Sequence, residues 1–348
     1  MPFRNRESRP RCWTLPTVLP PEADRARRPR WLAAALLCLL PAPVLAQDGT
    51  LAQDGAPVPC AVTRIARVPL RDDGGYLSVP VSIAGRAAQG AYSLVVDTGA
   101  EGGLISGWVA EALGLLIDSG RRTVLYGTGG AGGMVPNVLI ADLRLTTEDG
   151  QGLDLGPLST PVGDLPGQPM ITPPVAGLLG GDVLSHFDLE FDVAGGWLSL
   201  WRMRGDDGAC HAAPAWHGAY DTVPLVRDGH RVAVGVELDG QALTALVDSG
   251  ARSRILSTDA AARVGVSEDR LAVDPGGETS GVDGRTKWYH WHRFASLRIG
   301  NEVEHAPVLT VAPLRDRVDM LLGADWFARH NVWISYAGNR MFVRPARR

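Results

Sequence analysis

The chain has 348 residues, 45% hydrophobic and 21% charged, with a formal net charge of −4. That is an ordinary globular composition, long enough for two packed domains. The 42 Gly and 25 Pro residues favour many turns and short strands, so a mostly β fold is expected.

The N-terminus reads as a targeting segment. The basic run RARRPR, residues 25–30, precedes an apolar run, residues 31–46, which ends in Val44-Leu45-Ala46, a small-x-small cleavage pattern. This predicts a bacterial-type signal peptide over residues 1–46. The apolar run contains Pro41 and Pro43 and has 16 residues, fewer than the ~20 of a spanning helix. The alternative is an uncleaved inner-membrane anchor facing the periplasm; membrane contact is expected only in that case, and the cleaved chain would be periplasmic or secreted. Residues 1–46 hold eight Arg and three acidic residues, so the rest carries 26 basic and 35 acidic residues, a formal −9. That argues against nucleic acid as a partner. Residues 47–59 are polar with Pro and Gly and predict disorder.

Two of the four cysteines, Cys12 and Cys38, belong to the leader. Cys60 and Cys210 remain, and an oxidising compartment favours their pairing, against two unrelated buried thiols.

Past the leader the sequence repeats itself. At an offset of 151, Asp97-Thr98-Gly99-Ala100 falls on Asp248-Ser249-Gly250-Ala251, Leu104-Ile105-Ser106 on Ile255-Leu256-Ser257, and Gly114 on Gly265. Each Ser is expected to cap a short helix that ends at the Gly. The offset then shortens to 143, with Leu178-Leu179-Gly180-Gly181-Asp182 on Leu321-Leu322-Gly323-Ala324-Asp325; both aspartates are expected to cap helix N-termini. Each copy reads as a hairpin, an aspartate turn, a short helix, mixed strands, a Leu-Leu-Gly strand and a final hairpin. The copies span residues 60–204 and 220–348, with 205–219 as linker.

These residues resemble the aspartic proteases, specifically retropepsin-like domains present twice in one chain, in a pepsin-like bilobal arrangement. One Asp-Thr-Gly occurs by chance; two, each followed by Leu-Leu-Gly-x-Asp after 85 and 77 residues, are specific. The resemblance implies two β-barrel lobes with short helices, related by a pseudo-two-fold, and an active site between them. It implies that Asp97 and Asp248 form a dyad holding one water. Two carboxylates that close cannot both ionise, so one acts as base while the other, protonated, supports the substrate carbonyl. Thr98 and Ser249 would hydrogen-bond across the interface, and Gly99, Ala100, Gly250 and Ala251 would complete the tight loops. For a lone aspartate the bland reading is an ordinary turn residue at a strand end.

Tyr126-Gly127-Thr128-Gly129 resembles a pepsin-type flap, with Tyr126 expected to hydrogen-bond near the cleft; a plain Gly-rich turn is the alternative. The matching stretch Thr279–His290 has less glycine, so one dominant flap is expected. Trp288, Tyr289 and Trp291 are read as core and surface of one strand, or as lining of a substrate pocket. His290 and His292 find no third ligand, so no metal or other cofactor is predicted. Glu101 and Arg252 occupy matching places with opposite charge, which makes a directional substrate preference plausible.

The resulting expectation is an aspartic endopeptidase of the cell envelope, monomeric, acting on peptide or unfolded protein. The alternatives are a non-catalytic peptide-binding or interaction module of the same fold, and lobes that pair between molecules.

Overall fold

A computed structural model describes residues 61–83, 91–165, 171–204, 214–281 and 283–346. The leader, residues 47–59, Cys60 and Cys210 lie outside the described residues, so the expected signal peptide, disordered segment and disulfide do too. Among the described residues no helix is long and apolar enough to cross a membrane.

The apolar runs form the strands that the repeat predicts. Tyr92–Val96 and Gln241–Val247 end in triplets buried throughout, Leu94-Val95-Val96 and Ala245-Leu246-Val247. Each lies parallel to a Leu-Leu strand, Val175–Leu179 in one case and Met320–Leu322 in the other. A strand flanked on both edges and covered on both faces needs continuous apolar sequence rather than alternation, and these have it. The strands before them, Leu77–Ile83 and Arg231–Leu238, pair antiparallel through Ser78↔Val95 and Ala233↔Leu246.

Six antiparallel strands make a sheet that draws on both ends of the described sequence. Its order is Ala61–Pro69, Trp197–Arg204, Asp188–Asp192, His330–Ser335, Arg340–Pro345, Asp221–Pro224. The seam between the two halves of the chain lies between its third and fourth strands, where Leu189 pairs with Ile334 and Phe191 with Val332, all four fully buried. Phe191 also meets Phe327, with ring centroids 4.8 Å apart. Burial of side chains of this size stabilises by roughly 2–3 kcal/mol each. A buried polar contact fixes the register there: the Asp188 carboxylate accepts from Ser335 Oγ at 2.8 Å and from Ala337 N at 3.1 Å.

The remaining strands form open sheets of three, seven and ten strands, none closed on itself among the described residues. This corrects the expectation of β-barrel lobes. The strands at the start and end of each half are drawn into the shared six-stranded sheet, so they do not close either half. Among the described residues the long hairpin Leu116–Gly127 and Gly130–Ile140 pairs further only with Leu158–Pro161, as a separate three-stranded sheet.

The helices are short, as expected. In Thr258–Arg263 the Ser257 hydroxyl accepts from Ala260 N at 3.0 Å. In Gly107–Ala112, Ser106 holds the cap position without a side-chain hydrogen bond. Gly114 and Gly265 take the left-handed conformation that ends each helix, at φ +60° and +88°.

Asp182 and Asp325 are not caps; Gly180 and Gly323 hold those positions, and the aspartates lie in the first turn. Asp182 accepts from Gly103 N at 3.0 Å, and Asp325 takes Arg254 Nε at 2.9 Å. Both therefore tie a helix to the segment that follows an aspartate turn.

Candidate active site

The two aspartates stand at the ends of the central strands of two different sheets. Asp97 N donates to Leu179 O and Asp248 N to Leu322 O, both at 3.0 Å. Each turn is held from behind a second time, by Gly181 N to Ala100 O at 2.9 Å and Ala324 N to Ala251 O at 2.8 Å. The Leu-Leu strands and the helices that follow them thus fix both aspartate turns through backbone hydrogen bonds.

The turns meet through a reciprocal set of buried hydrogen bonds. Ser249 Oγ accepts from Thr98 N at 3.1 Å, and Thr98 Oγ1 accepts from Ser249 N at 3.0 Å. Each hydroxyl then donates to the carbonyl before the opposite aspartate: Thr98 Oγ1 to Val247 O and Ser249 Oγ to Val96 O, both at 2.7 Å. Thr98 and Ser249 are fully buried, so these four bonds satisfy groups that have no access to water.

Gly99 and Gly250 are required by close approach. A Cβ on Gly99 would lie 2.3 Å from Asp248 Cγ, and one on Gly250 would lie 2.3 Å from Asp97 Cγ. Each glycine therefore supplies the space that the opposite carboxylate occupies. Within each turn, Gly99 N donates to Asp97 Oδ1, and Gly250 N and Ala251 N donate to Asp248 Oδ1, all at 3.0 Å.

Two carboxyl groups so placed share their titration. Loss of hydration raises the Asp97 carboxyl above the usual range; the Gly99 and Ala100 amides, a hydrogen bond from Asp248 and the charge of Arg231 pull the other way. Asp248, 8% exposed, is raised well above that range, first by loss of hydration and then by the negative charge of Asp97. One proton between the two is the arrangement that relieves both costs. The site then presents a carboxylate base beside a carboxylic acid, the pair needed to activate a water and polarise a carbonyl.

The Tyr126–Gly129 segment forms the hairpin tip that the sequence suggests, but Tyr126 is not tucked under it. Its side chain is 72% exposed and makes no hydrogen bond among the described residues. The pairing register breaks between Val124 and Tyr126, and the residue between them, Leu125, packs instead with Val95, Leu104 and Leu178 beside the Asp97 strand.

The tip reaches the second half of the chain. Gly129 N donates to Asp283 Oδ2 at 2.6 Å, Lys287 Nζ to Thr128 Oγ1 at 2.7 Å, Arg315 N to Thr128 O at 2.9 Å and Arg285 to Ala131 O at 3.0 Å. A Cβ on Gly127 would approach Asp283 Oδ2 to 2.4 Å. Two hairpins therefore meet tip to tip, the second built from Gly276–Ser280 and Thr286–Arg293, where one dominant flap was expected. Asp283-Gly284 is legible in the sequence as a turn, but nothing there marks Asp283 as the acceptor for another hairpin. On this second hairpin the Tyr289 and Trp291 rings lie 5.3 Å apart, and His292 is bound to Asp274 at 2.6 Å.

A protein-family model described as aspartyl protease matches residues 234–326. The matched stretch contains Asp248-Ser249-Gly250 and Leu321-Leu322-Gly323 and does not extend to Asp97. This part of the chain is aspartyl-protease-like in sequence. No curated protein matches the chain at a significant level. Among solved structures the chain is similar to basic 7S globulin from soybean, at 12% identity with a TM-score of 0.44, over 82% of this chain and 95% of that one.

Proposed function

We propose that the protein is an aspartic endopeptidase in which a water held between Asp97 and Asp248 attacks the peptide carbonyl. The observation that carries this reading is the reciprocal Thr98–Ser249 hydrogen bonding, which presses each aspartate against the glycine of the opposite turn. A solitary turn aspartate needs no such partner. The carboxylate takes a proton from the water while the neighbouring acid hydrogen-bonds the carbonyl oxygen, and proton return to the leaving nitrogen completes hydrolysis. No metal enters this scheme.

The two halves of the sequence, residues 60–204 and 220–348, are read here as a duplicated retropepsin-like unit whose copies pair within one chain. The element-by-element recurrence of the Asp97 N–Leu179 O and Asp248 N–Leu322 O bonds supports that reading, as does the shared sheet. The substrate is an extended peptide or unfolded segment, admitted when the hairpin tips part. The leader-like N-terminus supports action in the periplasm or outside the cell, and the short linker, residues 205–219, supports pairing of the two halves within a monomer.

The test is incubation of the chain with an unfolded protein between about pH 3 and 8, with products identified by mass spectrometry. Internal cleavage that is optimal below neutral pH is expected. Binding of peptides without cleavage at any pH would favour the non-catalytic module instead.

A further inference from the structure

The fourth residue after each aspartate crosses to the other half of the chain, and the two crossings end differently. The Glu101 carboxylate finds partners there. It accepts from His230 N at 3.1 Å and lies 3.6 Å from Arg231 Nε. A Cβ on Gly229 would stand 2.3 Å from its Oε1, so the backbone packs against the carboxylate.

The Arg252 guanidinium is held but its charge is unmet. Its Nε donates to Gly74 O at 2.9 Å, and its central carbon lies 5.0 Å from the centre of the Tyr76 ring. These two contacts orient the group. Both Nη groups are left without a hydrogen bond or an ion pair among the described residues, and the residue is exposed. Of the acidic residues in the facing loop, Asp72 accepts from Gly75 N at 2.8 Å, and neither it nor Asp73 forms an ion pair with Arg252.

The place is beside the dyad. Continuing the register Ser78↔Val95 sets Tyr76 opposite Asp97. Tyr76 packs with Val95, Leu104 and Leu178, the apolar cluster against which Leu125 of the first hairpin also packs. Arg252 is four residues past Asp248, so at most about 14 Å of chain separate them. An extended peptide covers that length in about four residues.

Resting on the peptidase reading above, we infer that Arg252 is a specificity-determining residue that binds a carboxylate of the substrate, within about four residues of the bond that is cut. A guanidinium already oriented by a hydrogen bond and a ring face loses little freedom when its fork meets a carboxylate. Glu101 does not read a cation in the same way, because the His230 amide and Arg231 already hold it. The preference is therefore one-sided, acidic at one end of the substrate and indifferent to charge at the other.

The probe is one labelled peptide with apolar residues at its centre, in which each other position in turn carries Glu, Gln or Lys. Each is made with a free or an amidated C-terminus, and kcat/KM is measured for the wild type, Arg252→Gln and Arg252→Glu. In the wild type, Glu should exceed Gln by roughly three- to tenfold at one position on one side of the cut bond. No position on the other side should favour Lys. Arg252→Gln abolishes the difference, and Arg252→Glu turns it in favour of Lys. Each comparison is made within one protein, so a loss of stability cancels, and misfolding does not reverse a preference.

A preference for Glu within the amidated peptides assigns a side-chain carboxylate, and a preference for the free acid alone assigns a C-terminus. Equal cleavage of the Glu, Gln, acid and amide peptides overturns the inference, as does a preference that both Arg252 variants keep. A wild type that cuts nothing counts against the peptidase reading alone. Fluorescence anisotropy of the same peptides then decides the role of Arg252. Tighter binding of the Glu or free-acid peptides, reversed in Arg252→Glu, supports it; equal binding, or none, overturns it.

Discussion

At the scale of single residues, the site depends on atoms that are absent as much as on those present. Gly99→Ala places a methyl within 2.3 Å of the Asp248 carboxyl carbon, with the neighbouring turn fixed on all sides. Overpacking of this kind costs about 1–3 kcal/mol or more. We expect Gly99→Ala to lose measurable cleavage and to unfold at lower urea. Ser249→Ala removes the acceptor for Thr98 N and the donor to Val96 O, leaving buried groups unpaired. Its expected cost is about 1–3 kcal/mol, read as a lower urea midpoint.

The dyad also sets a pH dependence of stability. Both carboxyls titrate above their unfolded range, so the native state holds its proton more tightly than the unfolded chain. The stability they contribute is full below about pH 4, the unfolded carboxylate value, and is lost as pH rises through the native titration. Asp248→Asn cannot ionise and so should match the wild type at pH 3.5 and exceed it at pH 7 in urea unfolding. No gain at pH 7 would show that the two carboxyls do not share a buried site.

Among the elements, the hairpins show how far local pattern can be read. The Gly-rich run around Thr128 is legible as a hairpin tip because glycine is abundant there and apolar residues flank it. That Tyr126 turns outward depends on a register break two residues before the tip, and a one-residue slip exchanges which side chain faces inward. The tip-to-tip contact is long-range, joining residues about 154 apart, and no local signal encodes it. Asp283→Ala removes the acceptor of the Gly129 amide. Amide exchange over Gly127–Ala131 should quicken by about tenfold or more, the loss of a hydrogen bond to a charged group, while exchange at Thr98 and Ser249 stays slow. Unchanged exchange at the tip would mean that Asp283 does not hold it.

The aspartate turns were more legible than the hairpins because their chemistry is local: an apolar strand, a carboxylate, a hydroxyl and a glycine in fixed order. The roles of Asp182 and Asp325 were not, since a helix N-terminus in sequence does not reveal whether glycine or aspartate takes the cap.

For the whole molecule, the closed barrels inferred from resemblance gave way to open sheets because the edge strands of both halves join one another. That sharing places the seam at Leu189, Phe191, Val332 and Ile334. It gives the paired aspartates a rigid frame, which a chance meeting of two turns would lack.

The central claim is that Asp97 and Asp248 of the same chain act as one unit. The most direct measurement is peptide cleavage by the wild type, by Asp97→Asn, by Asp248→Asn and by an equimolar mixture of the two variants. The account predicts activity in the wild type alone, with both variants and their mixture inert. Full activity in either single variant, or recovery of activity on mixing, would contradict it.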